Sequence, residues 1–418
     1  MTDPTTEDAV SDDRWYEQLA SATQAWRDWC AALADTGAEA LRNTMTHDEV
    51  DLAEGLRHLA RMARLTTVST FENTDGGDPY LWRALGPDLK MGGDNPQGLY
   101  LSCPINGADT FRLHGTRGSA IWVSVIVGRG PSARAAGLPP FGEAVFATDL
   151  TVADDGTFEL WASPEPPTPD AAAGDAGANW VPTDEHSNRL LVRQFFGTYE
   201  MVTPMDLRID NVTNPLHPRP ALTVDAAAAS LRAAAGSFGT MVPMFQGEML
   251  AKGGDRINTF ATDIGDPTST SGGVPGGNAV TARWHLEPDE ALLVQVTPPD
   301  PCPYWDVQVG NGWYESFDYR WFFSGLTCAQ AAYGDDGSIT LVVADRDPGV
   351  ANWLEAAHHR EGHIAIRWQL TDTLPIPACT VMKVDEVAAR TNLPRVSPSE
   401  RDAGRRALRA AFDDRFRP

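Results

Sequence analysis

The stretch Trp313-Tyr314-Glu315-Ser316-Phe317-Asp318-Tyr319-Arg320-Trp321-Phe322 places one glutamate among aromatic residues at every second position. Read as a β-strand, whose side chains alternate between two faces, it sets Trp313, Glu315, Phe317, Tyr319 and Trp321 on one side. A carboxylate walled by four aromatics loses its water, its pKa rises, and it suits proton transfer near neutrality. Aromatic walls around one acid also suit a ring-shaped or sugar-like ligand. The competing reading leaves Glu315 on a solvated sheet face or paired with a nearby basic group. On the opposite face Tyr314, Ser316, Asp318 and Arg320 follow one another. Asp318 and Arg320 suit an ion pair or a ligand-facing polar pair better than a nucleophile and its base. Glu315, Asp318 and Arg320 are therefore the candidate catalytic residues, and Trp313, Tyr314 and Tyr319 the candidate ligand-binding ones.

Arg112 and His114 share one strand face, where they could hold a carboxylate or neutralise local acids, and they join the ligand-binding set. The run His358-His359-Arg360-Glu361-Gly362-His363 is neither H-E-x-x-H nor its inverted form. Its spacing supplies no closed ligand set, so a solvated turn is expected and no metal is assigned. Cys328 has no evident basic partner and reads as an inert buried thiol. No nucleophile elbow, phosphate-binding loop, dinucleotide fingerprint or kinase set occurs, and no cofactor is expected.

The elements that must position these residues come in two copies. Ile121-Trp122-Val123-Ser124-Val125-Ile126-Val127-Gly128 resembles Tyr304-Trp305-Asp306-Val307-Gln308-Val309-Gly310, and the same displacement carries Phe111-Arg112-Leu113-His114 onto Val294-Gln295-Val296-Thr297. Asp154-Asp155-Gly156-Thr157 matches Asp335-Asp336-Gly337-Ser338, and Ala178-Asn179-Trp180-Val181 matches Ala351-Asn352-Trp353-Leu354. The displacement shortens along the chain because the first copy holds a Pro/Ala/Gly/Asp-rich insert, Pro169 to Ala176, that reads as a loop. A duplication over roughly 95–200 and 280–372 follows. Asp-Gly pairs mark tight turns between short apolar runs, which predicts two antiparallel β-sandwich or jelly-roll-like domains. The expected organisation is a helical segment over 1–70, a first β domain over 71–200, a connector over 201–279, a second β domain over 280–380 and a helical segment over 381–418. Helical spacing marks Asp13 to Leu41, Val50 to Leu65 behind a Thr46-x-x-Glu49 capping box, Thr223 to Ala234, and Arg401 to Phe416 behind Ser397-Pro398-Ser399-Glu400. Asn179-Trp180 and Asn352-Trp353 occur in both copies, so a shared fold role is expected of them.

Gly93-Asp94-Asn95-Pro96, Trp313 to Arg320, and Arg346-Asp347-Pro348-Gly349-Val350-Ala351-Asn352-Trp353-Leu354 resemble actinobacterial members of the domain-of-unknown-function family 1214. The resemblance covers most of the chain after about residue 70. It departs from the family's pattern at Thr327-Cys328 and Asp345. It implies a mostly β architecture and brings no activity with it.

Composition narrows the partners. In 418 residues, 57 acidic against 33 basic side chains give a net charge of -24, which repels nucleic acid and anionic lipid. No apolar run approaches membrane-spanning length, and Met1 to Asp13 has no signal-like pattern. Five scattered cysteines fit a reducing compartment, so a cytoplasmic protein is expected. The expected partner is a small organic or sugar-like molecule, bound in an aromatic-lined pocket and converted there by acid-base chemistry. The alternatives are a binding module without turnover and a structural subunit, and a homo-oligomer fits either.

Overall fold

The computed structural model describes residues 12–44, 48–72, 74–168, 179–200, 202–253, 256–260 and 277–417. Two helices come first, α1 (Asp12–Arg42) and α2 (Glu49–Phe71). Nine strands and a short helix follow: β1 (Trp82–Leu85), β2 (Gly98–Pro104), β3 (Phe111–Thr116), β4 (Trp122–Arg129), α3 (Pro131–Ala135), β5 (Phe141–Phe146), β6 (Thr157–Ser163), β7 (Asn179–Pro182), β8 (Ser187–Phe195) and β9 (Asp206–Asn211). The long helix α4 (Val224–Gly253) leads to the second half: β10 (Gly277–His285), β11 (Glu290–Val296), β12 (Tyr304–Gly310), β13 (Gly325–Thr327), β14 (Ile339–Ala344), β15 (Trp353–Glu355), β16 (Glu361–Gln369) and β17 (Ala378–Lys383). Helices α5 (Val384–Arg390) and α6 (Pro398–Arg415) close the chain. The mainly β class with helices at both ends is as expected from the sequence.

Each half pairs two sheets across its own core. The first half has sheets β1-β2-β8-β4-β5 and β7-β6-β3-β9, and the second has β10-β16-β12-β13 and β15-β14-β11-β17. Alternation along the strands sends Val123, Val125 and Val127 of β4 inward to meet Leu113, Leu160 and Val192. In the second half Trp305, Val307 and Val309 of β12 meet Leu292, Leu341 and Ile366 in the same way. Each such side chain, fully removed from water, contributes about 1.5–3 kcal/mol.

The strand orders repeat, and so does the register. Trp122 lies opposite Phe195 and Trp305 opposite Trp368. The parallel pairs β6/β7 and β14/β15 set Trp161 against Trp180 and Val342 against Trp353. Asn179 Oδ1 accepts from Thr151 N at 2.7 Å, while its Nδ2 donates to Thr151 O at 2.9 Å and Glu159 O at 2.7 Å. Asn352 makes the same three bonds, with Ala332 N at 2.8 Å, Ala332 O at 2.7 Å and Thr340 O at 3.0 Å. The indoles of Trp180 and Trp353 donate to Ser163 O and Ala344 O, again at matching positions. These asparagines tie a loop to a strand edge, which is the shared fold role expected of them.

The copies differ in one connection of interest. Between β4 and β5 the first copy forms the short helix α3, whereas between β12 and β13 the second copy inserts residues 311–324 as an irregular loop. That loop contains the stretch read from the sequence as a strand. Only an isolated bridge from Ser316 to Gly310 is strand-like, and Tyr314 has φ +60. The alternation of faces therefore does not apply there.

The helices match expectation with shifted ends. Thr46 lies outside the described residues, and α2 is capped by Asp48, whose side chain accepts from Val50 N at 2.8 Å. The Ser397–Glu400 box opens α6 as predicted. Helix α4 runs well beyond Ala234. The insert Pro169 to Ala176 lies outside the described residues. The helices build their own core, where Trp29, Met62, Leu65, Phe238 and Val242 pack with Trp313 and Tyr314 from the loop.

The duplicated asparagines give a paired test. Asn179→Ala and Asn352→Ala each strand backbone groups and should each cost about 1–3 kcal/mol in urea unfolding. Asn352→Ala should cost more, because Asn352 has φ +56, a conformation asparagine tolerates better than alanine. A neutral Asn352→Ala beside a destabilising Asn179→Ala would contradict the shared role.

Candidate functional site

Helix α2 buries Asp51, Gly55, His58, Met62 and Leu65, a face at helical spacing that carries polar as well as apolar groups. Against it lies the 311–324 loop. Trp313 crosses the helix at Gly55, where a Cβ would fall 2.3 Å from the indole ring, and its Nε1 donates to Asp51 O at 2.8 Å. One turn further on, Glu315 is wholly buried, with His58 Nδ1 2.8 Å from Oε1 and Arg61 Nη1 donating to Oε2 at 2.6 Å. His58 also stacks on Trp313 at 5.5 Å.

The other wall comes from the segment after β1. Lys90, fully buried, donates to Ser316 O at 2.8 Å and Phe317 O at 2.7 Å and lies 3.5 Å from Asp318 Oδ1. Asp94 accepts from Ser316 N at 3.0 Å and Ser316 Oγ at 2.7 Å. Gly93 N donates to Tyr314 O at 2.7 Å, and Asn95 Nδ2 donates to Asp306 Oδ2 at 3.1 Å. Gly93 has φ +67 and lies against the Tyr314 ring, so this close approach needs a residue without Cβ. The Gly93–Pro96 segment and the Trp313–Arg320 segment, remote in sequence, are thus two sides of one joint.

The electrostatics follow from these contacts. Burial pushes the Glu315 carboxyl up, but the His58 hydrogen bond and the charges of Arg61 and Lys90 outweigh it, and the net shift is below the ordinary 4.5. The expected rise is therefore reversed: Glu315 is an ionised counter-charge, not a proton donor near neutrality. Burial raises Asp94 and lowers Lys90. Asp318, pushed up by burial, is brought down further by Lys90 and Arg57.

Outside this joint opens a cleft of about 470 Å³ lined by Arg57, Ala60, Arg61, Arg64, Pro87, Asp88 and Asp318. Three arginines spaced along one face of α2 meet two aspartates. Arg57 Nη2 donates to Asp318 Oδ1 at 2.5 Å, and Arg64 Nη1 donates to Asp88 Oδ2 at 2.7 Å.

The other predicted residues disperse. Arg320 pairs with Asp413 of α6 at 3.0 Å, not with Asp318. Tyr319 packs on Phe412 of that helix and on Phe416 at its end, with Lys90 Nζ over its ring. Phe317 enters the second sandwich core, while Trp321 is 46% exposed. Trp313 and Tyr314 are packed in the helical core, so the five alternating residues share no pocket. On β3, Arg112 pairs with Glu159 and His114 with Asp210 across neighbouring strands, so both neutralise local acids. The histidine run also separates: His359 bonds Asp51 at 2.8 Å, His363 lies 2.9 Å from Asn311 O, and His358 faces solvent beside Asp345. Burial raises the Cys328 thiol pKa, in keeping with an unreactive side chain. Arg57, His58, Arg61, Arg64 and Lys90 were missed by the sequence reading. The signal present was a helix whose basic residues recur on one face.

Two stacked-sheet sandwiches of matching strand order, the first with β1 as an added edge strand, joined to a helical layer through a buried charge cluster, define the class of protein. A model of the family described as "Protein of unknown function (DUF1214)" matches residues 102–199, in the first half. A solved structure of an uncharacterized protein from Burkholderia cenocepacia is 30% identical, covers 89% of this chain and 99% of its own, and has a TM-score of 0.78. The chain belongs to the DUF1214 family. The VPA0106 protein from Vibrio parahaemolyticus is 12% identical, covers 78% of this chain and 99% of its own, and gives a TM-score of 0.44. No curated protein matches the chain.

Removing the buried counter-charge tests the joint. Glu315→Leu leaves Arg61 and His58 without it and should cost about 3–5 kcal/mol in urea unfolding near neutrality. Glu315→Gln keeps the shape and should cost less. Because the folded pKa of Glu315 lies below 4.5, its contribution is present above that value and is lost as pH falls through the folded pKa. The stability gap between the native chain and Glu315→Gln should therefore narrow in acid. A gap that widens in acid would reverse the assignment.

Proposed function

We propose that the chain binds a small organic oxyanion, a carboxylate or phosphate compound, in the cleft on α2. The observation that carries this reading is the row Arg57, Arg61 and Arg64 lining one concavity in a chain of net charge -24. Guanidinium groups match carboxylate and phosphate oxygens in bidentate geometry. The ion pairs Arg57–Asp318 and Arg64–Asp88 are partly solvated, and such pairs contribute only about 0–1 kcal/mol, so an incoming oxyanion replaces them at little cost. Arg61 stays bound to buried Glu315 and orients the row. Glu315 is on this reading a positioning residue, Asp318 a ligand-exchangeable partner, and turnover by Glu315 acid-base chemistry has no support in its lowered pKa. All five cysteines are free, which supports a reducing, cytoplasmic setting. Among the described residues no helix is long and apolar enough to cross a membrane.

Thermal-shift titration with dicarboxylates and phosphomonoesters tests the reading. A ligand at a hundred times its Kd should add about 2.7 kcal/mol of stability. Arg64→Ala, at a half-exposed position, should weaken binding about tenfold or more without lowering the melting temperature of the free chain, as expected for a lost charge-assisted pair. Stabilisation by neutral or cationic compounds alone would refute it.

A second reading, a subunit of a homo-oligomer, has one observation in its favour. Trp15, Leu19 and Trp26 recur at helical spacing on α1 and are 54%, 48% and 61% exposed. If a second copy covers this stripe, light scattering should give twice the mass of one chain, and a Trp15→Ser, Trp26→Ser double variant should give a monomer. A monomeric native chain would dismiss this reading.

A further inference from the structure

The two ends of the α2 cleft are unlike. Arg57 and Arg64 stand about 10 Å apart along the helix axis, two turns from one another, with Ala60 and Pro87 between them. Pro87 and Asp88 form the tip of a tight turn that Gly86 and Leu89 close through two mutual backbone bonds of 3.1 Å. That turn brings Asp88 to Arg64, and Arg83 reaches the same carboxylate from β1 at 3.1 Å. Two guanidinium groups share one acid there, and neither pairs with another carboxylate among the described residues.

The other end is balanced. Arg57 meets Glu54 at 3.3 Å and Asp318 at 2.5 Å. Behind Asp318 lie Lys90 at 3.5 Å and Arg61 at 3.9 Å, both buried, and Arg61 is committed to Glu315. No cation is in surplus at the surface of this end, so an incoming anion is drawn to Arg64 and Arg83.

Both ends keep polar atoms open to water. The Arg64 side chain is 55% exposed and bonds Asp88 through Nη1, which leaves Nε and Nη2 without a hydrogen-bond partner among the described residues. Arg57 bonds Asp318 from Nη2 to Oδ1, so Arg57 Nη1 and Asp318 Oδ2 have no such partner either, and their side chains are 41% and 34% exposed. A donor beside an acceptor in a balanced pair suits a neutral group that does both, as hydroxyls do. Two neighbouring hydroxyls can meet both atoms together. An ammonium only donates and would face Lys90 and Arg61, whereas a second carboxylate only accepts and would face Asp318. With its terminal oxygens, an extended chain of about six carbons spans about 8–9 Å, close to the separation of the two ends.

We propose that the ligand of this cleft is a hydroxylated anion, a sugar acid or polyol phosphate, whose charged head binds Arg64 beside Arg83 and whose far hydroxyls bind Arg57 Nη1 and Asp318 Oδ2. This rests on the oxyanion reading of the cleft and adds which end holds the charge and what the other end takes.

Calorimetric titration of the full chain with matched six-carbon compounds tests it. Gluconate is compared with hexanoate, sorbitol phosphate with hexyl phosphate, and sorbitol and adipate complete the panel. At least one hydroxylated anion should bind with a Kd of about 1 mM or tighter, at least tenfold tighter than its counterpart without hydroxyls, than sorbitol and than adipate. The two pairs separate a carboxylate head from a phosphate head. Arg57→Ala and Asp318→Ala should each bring the hydroxylated anion to the affinity of its plain counterpart and leave the counterpart itself unchanged. Arg64→Ala should weaken both members of a pair alike. Plain anions or adipate binding as tightly as the hydroxylated ones would overturn this inference while the oxyanion reading stands, as would undiminished affinity in both Arg57→Ala and Asp318→Ala. Sorbitol binding as tightly as gluconate, or no anion binding at all, would overturn both.

Discussion

Glu315 carries a charge where water does not reach, and the docking of the helical layer onto the second sandwich depends on answering it. Moving an unpaired carboxylate into a protein interior costs several kcal/mol even after relaxation. Here His58 and Arg61 approach from α2, and Lys90 adds its field from the segment after β1. The same loop is gripped through its backbone by Lys90 and Asp94. Three stretches remote in sequence thereby have one mutual arrangement that pairs Glu315, Asp94 and Lys90. Such specificity comes with sensitivity, because removing Glu315 leaves His58 and Arg61 buried without the carboxylate they share.

Where the two sandwiches meet, a second set of buried polar groups works in the same way. Trp122 and Phe195 on the outer face of the first half stack on Tyr304 of the second. Beside them Arg367 bonds Asp306 at 2.7 Å, and Arg193, its pKa lowered to about 10 by burial, donates to Ser124 Oγ. Strand alternation explains why these residues can exist at all. β12 sends one set of side chains to its own core and the other toward the partner half, so Asp306 and Val307 are neighbours in sequence with opposite surroundings.

Duplication supplied two equivalent frames, and the buried charge cluster sits where they diverge. The connection from β4 to β5 is a short surface helix, whereas the corresponding connection from β12 to β13 became the buried loop that meets α2. A scaffold that is already stable tolerates change in a connection better than in a core strand. That is why the conserved frame positions of the two copies, Asn179 and Asn352, hold structure, and the unmatched loop forms the joint beneath the arginine cleft.

By itself the sequence determined the β class, the repeat, the capping of α6 and the role of the asparagine-tryptophan pairs, because each is written in local spacing or in similarity between two stretches of one chain. It also singled out the stretches around Glu315 and Gly93–Pro96, although not their contact with each other. What it did not contain was the partner of Glu315. An alternating pattern implies a strand only when a neighbouring chain offers a hydrogen-bond ladder, and over 311–324 none does, so Tyr314 turns to positive φ and the aromatics scatter into three different cores. The charges that hold Glu315 ionised come from positions 257 and 254 residues away, and only the packing of α2 against the loop brings them within hydrogen-bond distance. The direction of a pKa shift depends on that distance, and distance is a property of the tertiary structure alone.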